Sequence, residues 1–418
     1  MSLKTHSAQQ NIHRIVLANG ITLLIVENQA ADLVAGRFFF NNAGSLVENR
    51  DRAGLSNLVA SVMTKGTRYL SALEIAEQVE SIGASLGADA GTDYFLFSLK
   101  AVSNDFAAIL ALLTEIIRFP SFPTDEVALE KKLTLQSIRS QKEQPFNVAF
   151  DALRRNIYGE HPYGVSVLGT EDTVSQLEQA TLAQYHQTYL RPDNLTISIS
   201  GRVNIEETVR LIEEMFGDWQ IPTASTSLEL PLAINSEPSE TVIEQETQQS
   251  IVMLGYLGAA VNSADYPVLK LLSTYLGNGL SSRLFVELRE KRGLAYDVSA
   301  FFPTRLEPAF FVTYMGTAPE NTEIAIALLQ EEVERLTKIE LTEEELQGAK
   351  NKLLGQYALG KQTNSEIAQI YGWYESLGLG IDFDQEFQES IAKVTAQEAQ
   401  AVANKYLINP YISVVKPS

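Results

Sequence analysis

This sequence predicts an α+β fold built from two homologous domains, each a mixed, mainly antiparallel sheet covered by helices. Three observations predict it. Ile15-Val16-Leu17 and Ile21-Thr22-Leu23-Leu24-Ile25-Val26 flank Asn19-Gly20, the dipeptide that supplies the positive φ angles of a tight hairpin turn. Gln176-Leu177 through Tyr189-Leu190 resembles Lys393-Val394 through Tyr406-Leu407 at an offset of 217 residues, so one unit is written twice. Between the copies, Ile221 to Pro231 and on to Glu237-Pro238-Ser239 is rich in Pro, Ser and Thr without periodicity, the mark of a linker. The expected boundaries are 1–221 and 241–418, with the linker at 222–240.

The elements follow in order. The hairpin covers Ile12 to Asn28, and a strand follows near Leu33–Asn41. Helical periodicity runs from about Arg52 to Lys65 and again over Ala72–Ile82. Asp93–Val102 reads as a strand, and Asn104–Arg118 and Asp125–Glu143 as helices. Thr181–Tyr189 is helical, and Asn194–Gly201 is a strand. In the second copy, Ile339 to Glu344 matches Phe122 to Glu126 before a helix, and Gly258-Ala259-Ala260 matches Ala43-Gly44-Ser45 after a strand. Each copy closes on a Pro-containing turn and an apolar strand, Leu195–Ile199 and Tyr411–Val415.

A chain of 418 residues suits two domains of about 200. Cysteine is absent, which removes disulfides and thiolate metal sites. Met1 to Gln10 has no apolar signal region, and no apolar run is long enough for a membrane span. The expected location is the cytoplasm, or a stroma or matrix if a transit segment has been removed. A net charge of −20 argues against nucleic-acid binding, which needs a basic footprint.

The chemistry is read from one helix. Gly54-Leu55-Ser56-Asn57-Leu58-Val59-Ala60-Ser61, ending in Lys65-Gly66-Thr67, resembles the zinc helix of the inverted-zincin peptidases, the family of insulinase, pitrilysin and mitochondrial processing peptidase. There, two His at i, i+4 bind zinc and a Glu between them is the general base. Asn57 and Ser61 stand at the histidine positions, and Ala60 at the base. The family's third ligand is a Glu on a later helix, with another Glu two turns before it. Glu130 matches the earlier carboxylate, and Ser137, 76 residues after Ser61, stands at the ligand position. An amide and hydroxyls are poor zinc ligands beside imidazole. No cofactor is therefore expected in this chain. The histidines His6, His13, His161 and His186 show no ligand spacing, and the resemblance gives His161 a structural role.

In the second copy, Leu276 to Tyr296 resembles the segment that carries the family's substrate-binding Arg/Tyr pair, which here is Arg289 and Tyr296. Gly293 ends its helix. On residue types alone, these are a surface Arg and a half-buried strand Tyr. Gly83 to Tyr94, with Ala88, Asp89, Ala90 and Gly91 at its centre, resembles the edge strand that pairs with extended substrate. A Gly-containing turn before a strand fits the same residues.

The resemblance covers nearly the whole chain and implies that the two domains face one another as a clamshell. It further implies a zinc-less, non-catalytic subunit of a heterodimeric zinc peptidase acting on unfolded peptides. A homologous partner would carry zinc, and this chain would supply Arg289 and Tyr296. The alternative is a structural or peptide-binding scaffold of the same fold, like the core subunits of respiratory complex III, working with a partner or as a homodimer.

Overall fold

The computed structural model describes residues 12–223, 234 and 236–418. Most of the expected linker, together with His6 and the N-terminal segment, lies outside the described residues. The first half runs β1 (Ile12–Val16), β2 (Thr22–Glu27), β3 (Leu33–Asn41), α1 (Leu55–Met63), α2 (Ala72–Ser81), β4 (Ser85–Ala90) and β5 (Tyr94–Val102). It continues through α3 (Phe106–Arg118), α4 (Thr124–Glu143), α5 (Pro145–Tyr158), α6 (Glu171–Gln176), α7 (Gln179–Tyr189), β6 (Leu195–Gly201) and α8 (Ile205–Phe216). The second half runs β7 (Glu240–Gln245), β8 (Ser250–Leu257), α9 (Tyr266–Gly277), β9 (Asp297–Phe301), β10 (Phe310–Thr317), α10 (Thr322–Lys338) and α11 (Glu343–Leu359). It ends with α12 (Asn364–Ser376), α13 (Phe383–Lys393), α14 (Ala396–Tyr406) and β11 (Tyr411–Pro417).

The sheet orders are β1-β2-β6-β3-β5-β4 and β7-β11-β8-β10-β9. Leaving out β1, the two orders correspond strand for strand. β2 with β6 and β7 with β11 are the parallel pairs, and every other pair is antiparallel. The duplication legible in sequence is thus a duplication of topology. Buried strands such as β6, with every residue buried, lie mid-sheet and hold a continuous apolar core under the helices.

The halves are joined by an exchange of helices. α5 belongs to the first half in sequence but packs on β7, β8 and β11. Ala149, Leu153 and Ile157 meet Ile251, Met253, Val312 and Val415 in one apolar cluster. α12 does the reverse, packing on β2, β3 and β6 with Ile367 and Tyr371 against Leu24 and Val26. A glycine permits close approach in each seam. A Cβ at Gly255 would lie 2.7 Å from Ile157 Cδ1, and one at Gly372 would lie 2.7 Å from Phe39 Cε2. No helix among the described residues is long and apolar enough to cross a membrane.

Candidate functional site

α1 forms because Leu55, Leu58, Val59 and Val62 recur at helical spacing and are buried. Its start is fixed by Gly54 at φ 95°. A Cβ there would lie 2.6 Å from Leu168 O, so no other residue fits without displacing that loop. Glu48 reaches this end, where its carboxylate accepts the N–H of Gly54 at 2.9 Å and of Ser56 at 2.5 Å. Burial nevertheless pushes the Glu48 pKa up to about 7.

Asn57 and Ser61 lie four residues apart along α1, away from the Leu55–Val62 stripe, and Lys65 follows just past its C-terminal end. α1 packs against both α4 and β4. Lys65 Nζ meets Glu130 Oε1 at 3.0 Å, which aligns the C-terminal end of α1 with the first half of α4. Ser137 lies two turns further along α4. Asn57 and Ser61 on α1 and exposed Ser137 on α4 therefore lie along one packed helix pair, whose groove runs beside β4.

The side chains in that groove do not suit a zinc ion. Ser61 Oγ donates to Asn57 O at 3.0 Å, and Ser137 Oγ donates to Leu133 O at 3.1 Å. Both hydroxyl protons are thus turned back into their own helices. Ala60 is buried and offers no base. Glu130, the remaining carboxylate, faces an ammonium. Among the described residues, no group of three or more His, Cys, Asp or Glu side chains could hold a metal ion. His161 and His186 serve packing. The Nδ1 of His161 accepts the Tyr163 N–H, burial lowers its pKa to about 4, and His186 Nε2 lies 2.7 Å from Ile117 O.

Gly83 to Tyr94 does contain a strand. Among the described residues, β4 has β5 as its one neighbour and forms the open edge of the first sheet. Ala88 and Ala90 pair with Phe97 and Phe95, while Asp89 pairs with Leu96 and is exposed. Gly91 lies just past the strand. Its N–H donates to Tyr94 O at 2.9 Å, and its carbonyl accepts the Ser45 N–H at 3.1 Å, so its backbone is committed within the chain.

Arg289 and Tyr296 occupy a second neighbourhood, at the edge of the other sheet. Tyr296 precedes β9, its N–H donates to Gly316 O at 2.8 Å, and its side chain is 59% exposed. Arg289 is exposed and lies over the Phe285 ring, 5.1 Å from the centroid. The helix that carries it is a π-helix over Phe285–Glu290 rather than an α-helix, a geometry that recurs at functional sites. Lys291 caps it, and Gly293, expected to end the helix, lies at φ 64° three residues past it, its N–H donating to Arg289 O at 3.0 Å. The segment is anchored from below. Buried Glu287 meets Arg283, Lys291 and Arg292, and Arg283 Nε donates to Glu332 Oε2 at 2.7 Å. Residue types gave the surface Arg, but they gave a half-buried strand Tyr where Tyr296 is exposed just before β9, and they gave no sign of this ionic base.

Comparison with known proteins agrees in both halves. A family model described as insulinase, peptidase family M16, matches residues 24–171, and one described as the peptidase M16 inactive domain matches residues 176–353. A Bacillus subtilis protein named an uncharacterized zinc protease is 27% identical, covering 97% of this chain and 98% of its own length. One from Rickettsia bellii with the same description is 25% identical over 97% of this chain and 98% of its own. A crystal structure described as a peptidase M16 inactive domain from Pseudomonas fluorescens superposes with a TM-score of 0.90 at 26% identity, covering 98% of each chain. A protease structure from Helicobacter pylori, at 21% identity, shares the fold with a TM-score of 0.89 over 98% of this chain and all of that one.

Proposed function

That the chain belongs to peptidase family M16, the insulinase family, in both halves is the premise from which we propose a role without chemistry of its own. It is the non-catalytic, substrate-binding subunit of a two-subunit zinc metallopeptidase that acts on unfolded peptides. The observation that carries this reading is the contrast at the two edges. At α1 and α4 the helical frame stands, while Ser61 and Ser137 bond to their own helices and Glu130 pairs with Lys65. At the other edge, Arg289 and Tyr296 are exposed on a firmly anchored segment. A homologous partner would bring zinc, and full-length relatives named zinc proteases are chains of the kind that could do so. The open edge of β4 would take up an extended peptide by strand addition. A guanidinium and a phenol would hold a peptide carbonyl or stabilise the oxyanion that forms from it.

Affinity capture and reconstitution test the proposal. The tagged chain should bring down a zinc-containing homologue of similar length, and the pair should cleave a quenched peptide that neither chain cleaves alone. In that pair, Tyr296→Phe and Arg289→Ala should each lower turnover on the order of 10²-fold, with zinc content and assembly unchanged. Arg289→Lys should rescue only in part, because an ammonium lacks the planar fork. Wild-type turnover in all three variants, or capture of no zinc-bearing homologue, would favour the scaffold instead.

A further inference from the structure

In a chain of net charge −20, a cavity of about 420 Å³ between α4, α5 and the 164–170 loop has a cationic lining. Arg50, Lys142, Arg154 and Arg155 face it, against one lining carboxylate, Asp151. Two of these cations are neutralised nearby, Lys142 by Glu171 at 2.7 Å and Arg50 by Glu160. Of the two on α5, Arg154 has an ion pair and Arg155 has none among the described residues. Arg154 Nη2 donates to Asp151 Oδ1 at 2.6 Å, and Arg155 Nε reaches only the backbone carbonyl of Asp151, at 3.3 Å. The cavity lining thus sets two guanidinium groups beside one carboxylate, which pairs with Arg154 alone.

The inner one is left incomplete. The Arg154 side chain is 14% exposed, and its Nε is buried without a hydrogen-bond partner among the described residues. Burial, with the nearby charges of Arg155 and Arg305, works against its positive charge and lowers its pKa. A buried donor on a charged group is costly to leave unmade. An anion in the cavity would meet Arg154 and Arg155 in its lining and offset the charge that burial and the neighbouring guanidinium groups disfavour.

Size and lining narrow the ligand. The volume falls within the range of about 300–1,000 Å³ typical of small-ligand sites, well above what a single small ion fills. Ile138, Val148 and Val165 add apolar wall. The matching chemistry is a carboxylate on an apolar body. Position narrows it further. Gln141, in the lining, lies one turn past Ser137 on α4. Gly169, also in the lining, abuts the start of α1, since a Cβ there would lie 2.1 Å from Ala53 O. The cavity thus lies beside the C-terminal half of α4 and near the residues that lead into α1. We propose that it is a subsite for a carboxylate of bound peptide, held by Arg154 and Arg155. The carboxylate is an acidic side chain or a free C-terminus. This rests on the peptide-binding role proposed above.

The test is fluorescence anisotropy on the purified full chain with three labelled peptides of one apolar sequence. One has a free C-terminus, one is C-terminally amidated, and one is amidated with an internal Glu. The neutral amidated peptide should bind about tenfold or more weakly than at least one acidic form, the scale of one charge-assisted hydrogen bond. The form that keeps the affinity identifies the source of the carboxylate. Arg155→Gln, at an exposed position, should abolish the discrimination with the melting temperature unchanged. Asp151→Asn should tighten acidic-peptide binding by freeing Arg154, a gain that a purely structural Asp151–Arg154 pair does not produce. Equal binding of all three peptides, insensitive to Arg155→Gln, overturns the subsite and leaves the peptide-binding role standing. Binding of none of the three overturns both.

Discussion

The two sheet edges carry the same architecture and opposite surface chemistry. At the first, the side chains at the pseudo-ligand positions are small and neutral, and the hydroxyls bond to their own helices. At the second, an exposed guanidinium on a π-helical turn anchored by Glu287 is followed by an exposed phenol just before β9. The difference teaches which features a helix needs in order to persist. α1 is held by a buried stripe, by Gly54 and by Glu48 at its N-terminus. The face carrying Asn57 and Ser61 takes no part in that. Its chemistry can be lost without loss of the helix, and the frame is no measure of activity.

The largest effect should come from reversing the contrast. Asn57→His, Ala60→Glu, Ser61→His and Ser137→Glu together should take the chain from no stoichiometric zinc to one zinc per chain. Binding with Kd on the order of micromolar corresponds to about 8 kcal/mol, below the roughly 10–16 kcal/mol of structural zinc sites. Because Ala60 is buried, a triple variant that keeps Ala60 separates metal binding from the strain of an inserted carboxylate. Metal analysis after dialysis reads both. Folded variants without zinc affinity would mean that α1 and α4 do not present these positions to one another.

Next in size is the seam between the halves. Leu153 is fully buried, on a first-half helix seated on the second-half sheet. Leu153→Ala should cost about 2–5 kcal/mol. Because α5 and α12 are exchanged, urea should still unfold the protein in one transition. Ile367→Ala on α12 should behave alike. A second-half transition that separates from the first would show that the exchange does not couple them.

A smaller effect depends on pH. The Glu48 pKa is raised by burial to about 7 from 4.5, so between those values the native state holds a proton that the unfolded chain has released. Stability should therefore fall as pH rises through that window and level off above it. Glu48→Gln should flatten the slope, gaining on wild type at pH 8 relative to pH 5. Parallel curves for the two proteins would mean that the hydrogen bonds from the start of α1 keep this carboxylate ionised throughout.

Much of this was legible in the chain. The hairpin at Asn19-Gly20, the strand Leu33–Asn41 and the repeated order of elements along the chain were readable from residue pattern. α5 and α12 did not. Their apolar stripes, Leu153 with Ile157 and Ile367 with Tyr371, find partners on the other half's sheet, which no local pattern announces. The π-helix was also hidden, because it rests on hydrogen bonds such as Lys291 N–H to Val286 O and on the ionic anchor beneath. Whether Gly83 to Tyr94 was a turn or an edge strand was open in the residues, and pairing with β5 decided it.

The smallest expected effect asks whether the first edge has gained a structural role in place of its chemistry. Lys65 and Glu130 lie 3.0 Å apart, with side chains 34% and 13% exposed, so the pair is neither free in solvent nor dry. Partial burial strengthens the attraction, while water still screens the lysine end. A double-mutant cycle with Lys65→Met and Glu130→Gln should give a coupling of about 0.5–1 kcal/mol, the upper part of the range for exposed pairs. Half a molar salt should reduce it. Zero coupling would leave α1 and α4 joined by packing alone, and the groove between them would be a relic. Coupling well above about 2 kcal/mol would mean that the pair is desolvated and that the two helices depend on it. The zinc-restoring variant should then succeed more often with Lys65 and Glu130 kept.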